Sequence, residues 1–195
     1  MKIADMHGDT IYELLTRRRA GNEVFLRENE LHMDLQKMKK ADYLLQNFAL
    51  FVGLKEDVNP YEEAKAEYVV FADEMEKNQD LISQVFSYED IEKNRKAGKI
   101  SALLTLEEGE VCLGQIEKLE EFYSYGARMM ALAWNFDNSL TTCNTKCPPP
   151  WPRNYKGSRP GLTETGIEFV ERMEERGMIP DVSHMSDEGI EDMLM

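Results

Sequence analysis

Ile100-Ser-Ala-Leu-Leu-Thr-Leu-Glu-Glu-Gly109 joins a short apolar run to two acids and a glycine. The run from Ile100 to Leu106 lacks the apolar–polar alternation of a half-wet strand, so it reads as a strand buried on both faces. Just before it, Ser87-Tyr-Glu-Asp90 is a helix-capping pattern and Gly98 a stop, which together predict a helix leading into the strand. Just after it, a helix from about Leu113 to Tyr125 ends at Gly126, and Arg128–Trp134 is the next strand. The alternation continues outward in both directions. Lys2–Met6 reads as a first strand, and Thr10-Ile-Tyr-Glu13 as a capping box for a helix running through Arg17–Arg19. Tyr43–Val52 is a second strand, and Pro60 opens a long amphipathic helix to about Val85. Thr163–Arg176 is a helix stopped by Gly177, Met178–Ser183 a fifth strand, and Ser186 begins one more helix. Five strand–helix repeats with buried strands call for parallel pairing through right-handed crossovers. The class is therefore α/β. The pattern alone leaves a doubly wound sheet and a barrel both open, although no Gly-x-Gly-x-x-Gly or Walker loop follows any strand, which argues against a nucleotide fold.

The chain has 195 residues, 37 acidic against 23 basic, and a formal charge of −14. That balance repels phosphate, and no basic stripe with interleaved aromatics is present, so nucleic acid is not an expected partner. No apolar run approaches the roughly 18–20 residues that span a bilayer. The opening Met1-Lys-Ile-Ala-Asp-Met-His7 places an acid and a histidine where a signal peptide has its apolar core. Three cysteines are too few for a disulfide framework. The Cys143/Cys147 pair could close a small disulfide or hold a metal, but two free thiols in a reduced, cytoplasmic setting are expected. Asn135–Pro160 holds five of the seven prolines and is long for a plain connection, so an excursion over a site mouth is expected there.

In parallel α/β architectures, sites form where strands end. Here the first strand ends in His7-Gly-Asp9, the third in Glu107-Glu108-Gly109 and the fifth in Asp181-Val-Ser-His184. Residues two apart on a strand face the same side, so one cation could take both His7 and Asp9, and zinc accepts such mixed nitrogen and oxygen ligands. Taken singly, each piece has a plainer reading: a capping pair, a solvated turn, or an Asp181–His184 hydrogen bond holding a loop. Three strand ends carrying His/Asp, Glu and His, in a chain with three histidines, point jointly to a metal site. His32-Met-Asp34 repeats the His-x-Asp spacing but precedes the second strand, and is read as a structural pair.

These segments together resemble the membrane (renal) dipeptidase family of zinc peptidases, whose bacterial members are soluble. Ala4-Asp-Met-His-Gly-Asp9 resembles the family's opening Asp-x-His-x-Asp, and Ala102–Gly109 its apolar strand ending in Glu-Gly. Phe122–Arg128 with Leu132-Ala-Trp-Asn135 resembles its fourth strand. Gly161-Leu-Thr163 and Gly177-Met-Ile-Pro-Asp-Val-Ser-His184 resemble its later segments. The resemblance covers essentially the whole chain. It implies a (β/α)8 TIM barrel, of which residues 1–195 make one incomplete domain of about five strand–helix units. It further implies two zinc ions, with His7 and Asp9 on the first, Glu107 bridging both as the catalytic carboxylate, and His184 on the second. Glu107 is preferred to Glu108 because it directly follows the strand. A hydroxide held between the metals would attack the peptide bond of a dipeptide. Asp5, in phase with His7, is a possible support for a ligand imidazole. Several family members have a histidine near the substrate carbonyl on the fourth strand, where this chain has Trp134. The family chain continues past Asp-x-Ser-His to a second histidine, a carboxylate-gripping arginine and a proton-handling aspartate, and this sequence stops before them.

Two readings of different class follow. One is a zinc dipeptidase acting on small dipeptides. The other is a truncated, catalytically impaired homologue that binds metal and self-associates, since open strand edges invite pairing with another copy. Another metal-dependent amidohydrolase barrel fits less well, because such enzymes open with His-x-His. A homo-oligomer without nucleic-acid or membrane partners is the expected assembly.

Overall fold

A computed structural model describes residues 2–145 and 156–195. The chain divides into two compact units, Met1–Leu50 with Lys65–Thr105, and Phe51–Ala64 with Leu106–Met195.

In the first unit, β1 (Ile3–Asp5) leads to α1 (Thr10–Arg19) and α2 (Leu35–Lys40). Next come β2 (Tyr43–Phe51), α3 (Pro60–Lys77), β3 (Ile82–Gln84), α4 (Tyr88–Ala97) and β4 (Ile100–Glu107). β2, α3 and β4 cross from one unit into the other. β1 pairs parallel to β2 with Ala4 against Leu45, and β3 pairs parallel to β4 with Ile82 against Ile100. The strand order in this unit is β1-β2-β4, with β3 beside β4. β2 is buried from Leu45 through Leu50, with Gln46 and Asn47 the polar residues within that stretch. α3 packs on it through Phe71, whose ring centroid lies 5.8 Å from that of Phe48.

The second unit holds the end of β4, a 3₁₀ turn (Gly109–Cys112), α5 (Ile116–Ser124), β5 (Ala127–Ala131), α6 (Glu164–Arg176), β6 (Ile179–Asp181) and α7 (Asp187–Met193). β5 and β6 are parallel, with Ala131 opposite Asp181. Phe122 of α5 and Phe169 and Met173 of α6 are fully buried, covering the strands with the apolar stripes of their helices. Successive strand–helix steps with parallel pairing are those of a (β/α)8 TIM barrel, present here in part. The class is α/β.

The sequence reading and the structure differ most in the first three helices and in β3. The helix expected to run to Val85 ends at Lys77, and a sixth strand, β3, follows it. Buried Asn78 ends the helix: its Nδ2 donates to Glu74 O at 2.9 Å, and its own carbonyl accepts Leu81 N and Ile82 N. The first helix starts at Thr10 with Asp9, not Thr10, at the N-cap position. α2 was not expected. It is started by Asp34, whose Oδ1 accepts Lys37 N at 2.8 Å and whose Oδ2 lies 2.8 Å from Lys37 Nζ. Asp34 thus has a structural role, in partnership with Lys37.

Candidate metal centre

His7, Gly8 and Asp9 occupy the turn between β1 and α1. β1 ends at Asp5, one residue earlier than expected, yet His7 Nε2 and Asp9 Oδ1 still lie 3.1 Å apart. The turn is held by its neighbours: Asp5 Oδ1 accepts the His7 amide at 3.3 Å, and Gly8 O accepts Ala49 N at 3.1 Å. Asp5 therefore supports the main chain of His7, and its Oδ2 accepts the Tyr43 hydroxyl at 3.4 Å. Asp9 stands at the N-cap position, but its carboxylate makes no capping hydrogen bond. An aspartate so placed ordinarily satisfies an orphan helix amide. Here the carboxylate turns to the imidazole instead, with 46% of the side chain exposed. A cavity of about 520 Å³ adjoins it, lined by Gly8, Asp9, Thr10, Glu13, Leu31 and His32. Its volume falls in the range that holds small ligands.

In the second unit, Glu107 ends β4 and its side chain is 9% exposed, while His184 lies in the turn between β6 and α7. His184 Nε2 is 3.5 Å from Glu107 Oε1. His184 has φ 66°, the left-handed region that side-chain-bearing residues seldom occupy. Its carbonyl accepts Asn144 N at 2.9 Å, and Met185 N closes the turn onto Val182 O at 3.2 Å. Asp181 does not pair with His184. Its Oδ1 accepts the Ser183 amide at 2.8 Å and the Ser183 hydroxyl at 2.7 Å.

Glu108 lies just beyond the last residue of β4. It is not a solvated turn residue but fully buried. Its Oε1 accepts Glu110 N at 3.1 Å and Asn138 Nδ2, and its Oε2 accepts Trp134 N at 3.1 Å. Burial pushes its carboxyl up to about 7, against the opposing pull of those hydrogen bonds. Sequence reasoning set Glu108 aside. No local signal marked it, because Asn138, its buried partner, stands between polar Asp137 and Ser139 in the sequence. Trp134 is half-buried, edge-on to Phe51 at 4.8 Å and to Phe136 at 6.2 Å.

The donor set suits a divalent cation of the zinc type: one imidazole and one carboxylate within each pair, each pair in contact. Cys112 and Cys143 are both free, and burial raises both thiols, so neither resembles a thiolate ligand. Cys147 lies outside the described residues, as does much of the Pro-rich stretch.

A family model described as membrane dipeptidase (peptidase family M19) matches residues 1–195. An uncharacterised dipeptidase of Schizosaccharomyces pombe, C965.12, is 29% identical over 208 residues, spanning 99% of this chain and 49% of that protein. A metallopeptidase from Rhodobacter sphaeroides, solved with a phosphinate mimic of the dipeptide L-Ala-D-Ala, superposes with a TM-score of 0.83 at 18% identity. That match covers 99% of this chain and 61% of the other. The probable dipeptidase PvdM from Pseudomonas aeruginosa superposes with a TM-score of 0.74 at 20% identity, covering 89% of this chain and 45% of its own. The chain thus spans about half the length of the curated relative C965.12.

Proposed function

The chain belongs to the membrane dipeptidase family, peptidase family M19, along its whole length, and from that premise we propose that it is a zinc-dependent dipeptidase. His7 and Asp9 would hold one zinc ion and Glu107 and His184 a second, with Glu107 the shared carboxylate that the family resemblance implies. The observation that carries this reading is that both pairs are in contact at strand ends, at 3.1 Å and 3.5 Å. An Asp9 carboxylate left without a helix amide to cap supports it further.

When bound, zinc supplies water activated for attack at neutral pH and positive charge for the developing oxyanion. The chain's own residues do the positioning. Asp5 fixes the His7 main chain, and the His184 turn is pinned by Asn144 and by Ser183 on Asp181. Glu107, shielded from solvent, presents a carboxylate whose charge favours bound cations over bulk exchange. The small cavity beside Asp9 has room for one residue of a dipeptide.

The Rhodobacter sphaeroides relative's dipeptide-mimicking ligand supports a dipeptide as the substrate class. No helix among the described residues is long and apolar enough to cross a membrane. The free thiols of Cys112 and Cys143 suit the reduced cytoplasm expected from the sequence. Self-association is part of the proposal: β6 leaves Ile179 51% exposed, and Val182 just beyond it 39% exposed.

The test is hydrolysis of a small dipeptide panel by the purified chain with added zinc, beside His7→Ala. Turnover in the parent that falls at least a hundredfold in the variant is expected. Bound zinc without turnover, indifferent to His7→Ala, favours the second reading, an impaired homologue that retains metal.

A further inference from the structure

Glu108 has φ 89° and ψ 101°, a backbone region in which glycine is at ease and other residues are strained. A glutamate held there must bring something that glycine cannot. What it brings is a buried carboxylate that gathers three donors: the amides of Glu110 and Trp134 and the side-chain amide of Asn138. Asn138 extends the connection. Its Nδ2 also donates to Leu132 O at 2.8 Å, and its Oδ1 accepts Leu140 N at 2.8 Å and Thr141 N at 3.1 Å. Gly109, next along, donates its amide to Leu132 O at 3.2 Å, and a Cβ there would sit 2.5 Å from that oxygen. The segment Leu132–Asn138 is therefore clamped against the residue that follows Glu107.

We propose that Glu108 is a positioning residue for the metal centre: its anchored carboxylate fixes the Glu107–Glu108 peptide and so aims Glu107 at His184. This rests on the reading of Glu107 and His184 as metal ligands. The physical link is short. Any rotation about the Glu107 backbone that redirects its side chain must carry Glu108 with it. That movement would strip three donors of their acceptor in a site closed to water, which protein interiors resist. Partners one step behind a ligand tune metal affinity in the same way. The Trp134 amide is one of the three donors, and its indole packs on Phe51 and Phe136. Its emission therefore reports the state of the anchor.

The experiment uses the full chain with Trp151→Phe, leaving Trp134 as the sole tryptophan of the original two. Two variants are compared with it. Glu108→Gly accepts the backbone angles and deletes the carboxylate. Glu108→Gln keeps the shape but turns an amide donor toward donors. Zinc is titrated into each metal-free protein, and Trp134 emission and thermal melting are recorded alongside. Both folded variants are expected to bind zinc at least about tenfold more weakly and to shift Trp134 emission to longer wavelength. A folded Glu108→Gly with the parent's zinc affinity overturns the proposal even if its melting temperature or emission changes, because a purely structural role would do that. Should Glu108→Gln fail to fold, Glu108→Gly decides alone. A parent chain that takes up no zinc at all overturns the ligand reading instead.

Discussion

His184 and Glu108 hold positive φ values of 66° and 89° without being glycine. Such strain persists only where surroundings over-determine it, and it gathers at functional sites. One of these residues is a candidate ligand and the other adjoins one. His7, Asp9 and Glu107 were legible in the sequence because they stand at strand ends, where the chain leaves a parallel sheet. The roles of Asp5 and Glu108 were not legible, because they depend on partners such as Tyr43 and Asn138 brought near by the fold. Asp192 is another residue whose partner only the fold supplies. Its Oδ1 accepts Arg159 Nη2 at 2.6 Å and its Oδ2 accepts Leu162 N at 2.9 Å. The Arg159 hydrogen bond, against some desolvation, holds its carboxyl below the ordinary 3.8. A depressed folded value means stability that is present above pH 3.8 and lost as pH falls through the folded value. Asp192→Asn should therefore melt lower than the parent near neutrality and lose less stability on acidification below that pH. Melting curves recorded across the acid range check this, and parallel acid limbs for parent and variant would refute it.

Among the elements, α6 shows how much local sequence can dictate. Thr163 caps it, with Oγ1 accepting Gly166 N at 2.9 Å and donating to Ser139 O at 2.8 Å. Gly177 ends it in the left-handed conformation. Both signals were readable in advance, and the helix spans Glu164–Arg176, one residue shorter than expected. Thr163→Ala should cost about 1 kcal/mol from the lost cap, read as a lower denaturation midpoint at unchanged slope. α3 shows the opposite. Its stop is Asn78, a residue with no strong breaker signal, so the three-residue strand β3 passed for a helix end. Short strands carry too few residues for periodicity to register. At the end of β4, the close approach of Gly109 to Leu132 is also invisible in sequence. Gly109→Ala should cost about 1–3 kcal/mol through overpacking against backbone, measured by thermal or urea unfolding. A neutral result would mean that the 2.5 Å contact relaxes freely.

For the whole chain, the α/β class was legible because mostly apolar strands such as β2 have no wet face, which calls for a parallel sheet covered on both faces. Metal uptake should also show in stability. Zinc at one hundred times its dissociation constant should stabilise the fold by about 2.7 kcal/mol, seen as a melting temperature that rises with zinc and falls with a chelator. The most direct test of the account is the zinc content and affinity of the parent chain against four single variants, His7→Ala, Asp9→Asn, Glu107→Gln and His184→Ala. The account predicts two zinc ions per parent chain. His7→Ala and Asp9→Asn should lose one, His184→Ala the other, and Glu107→Gln should weaken both. Equal zinc binding by the parent and by all four variants would contradict it.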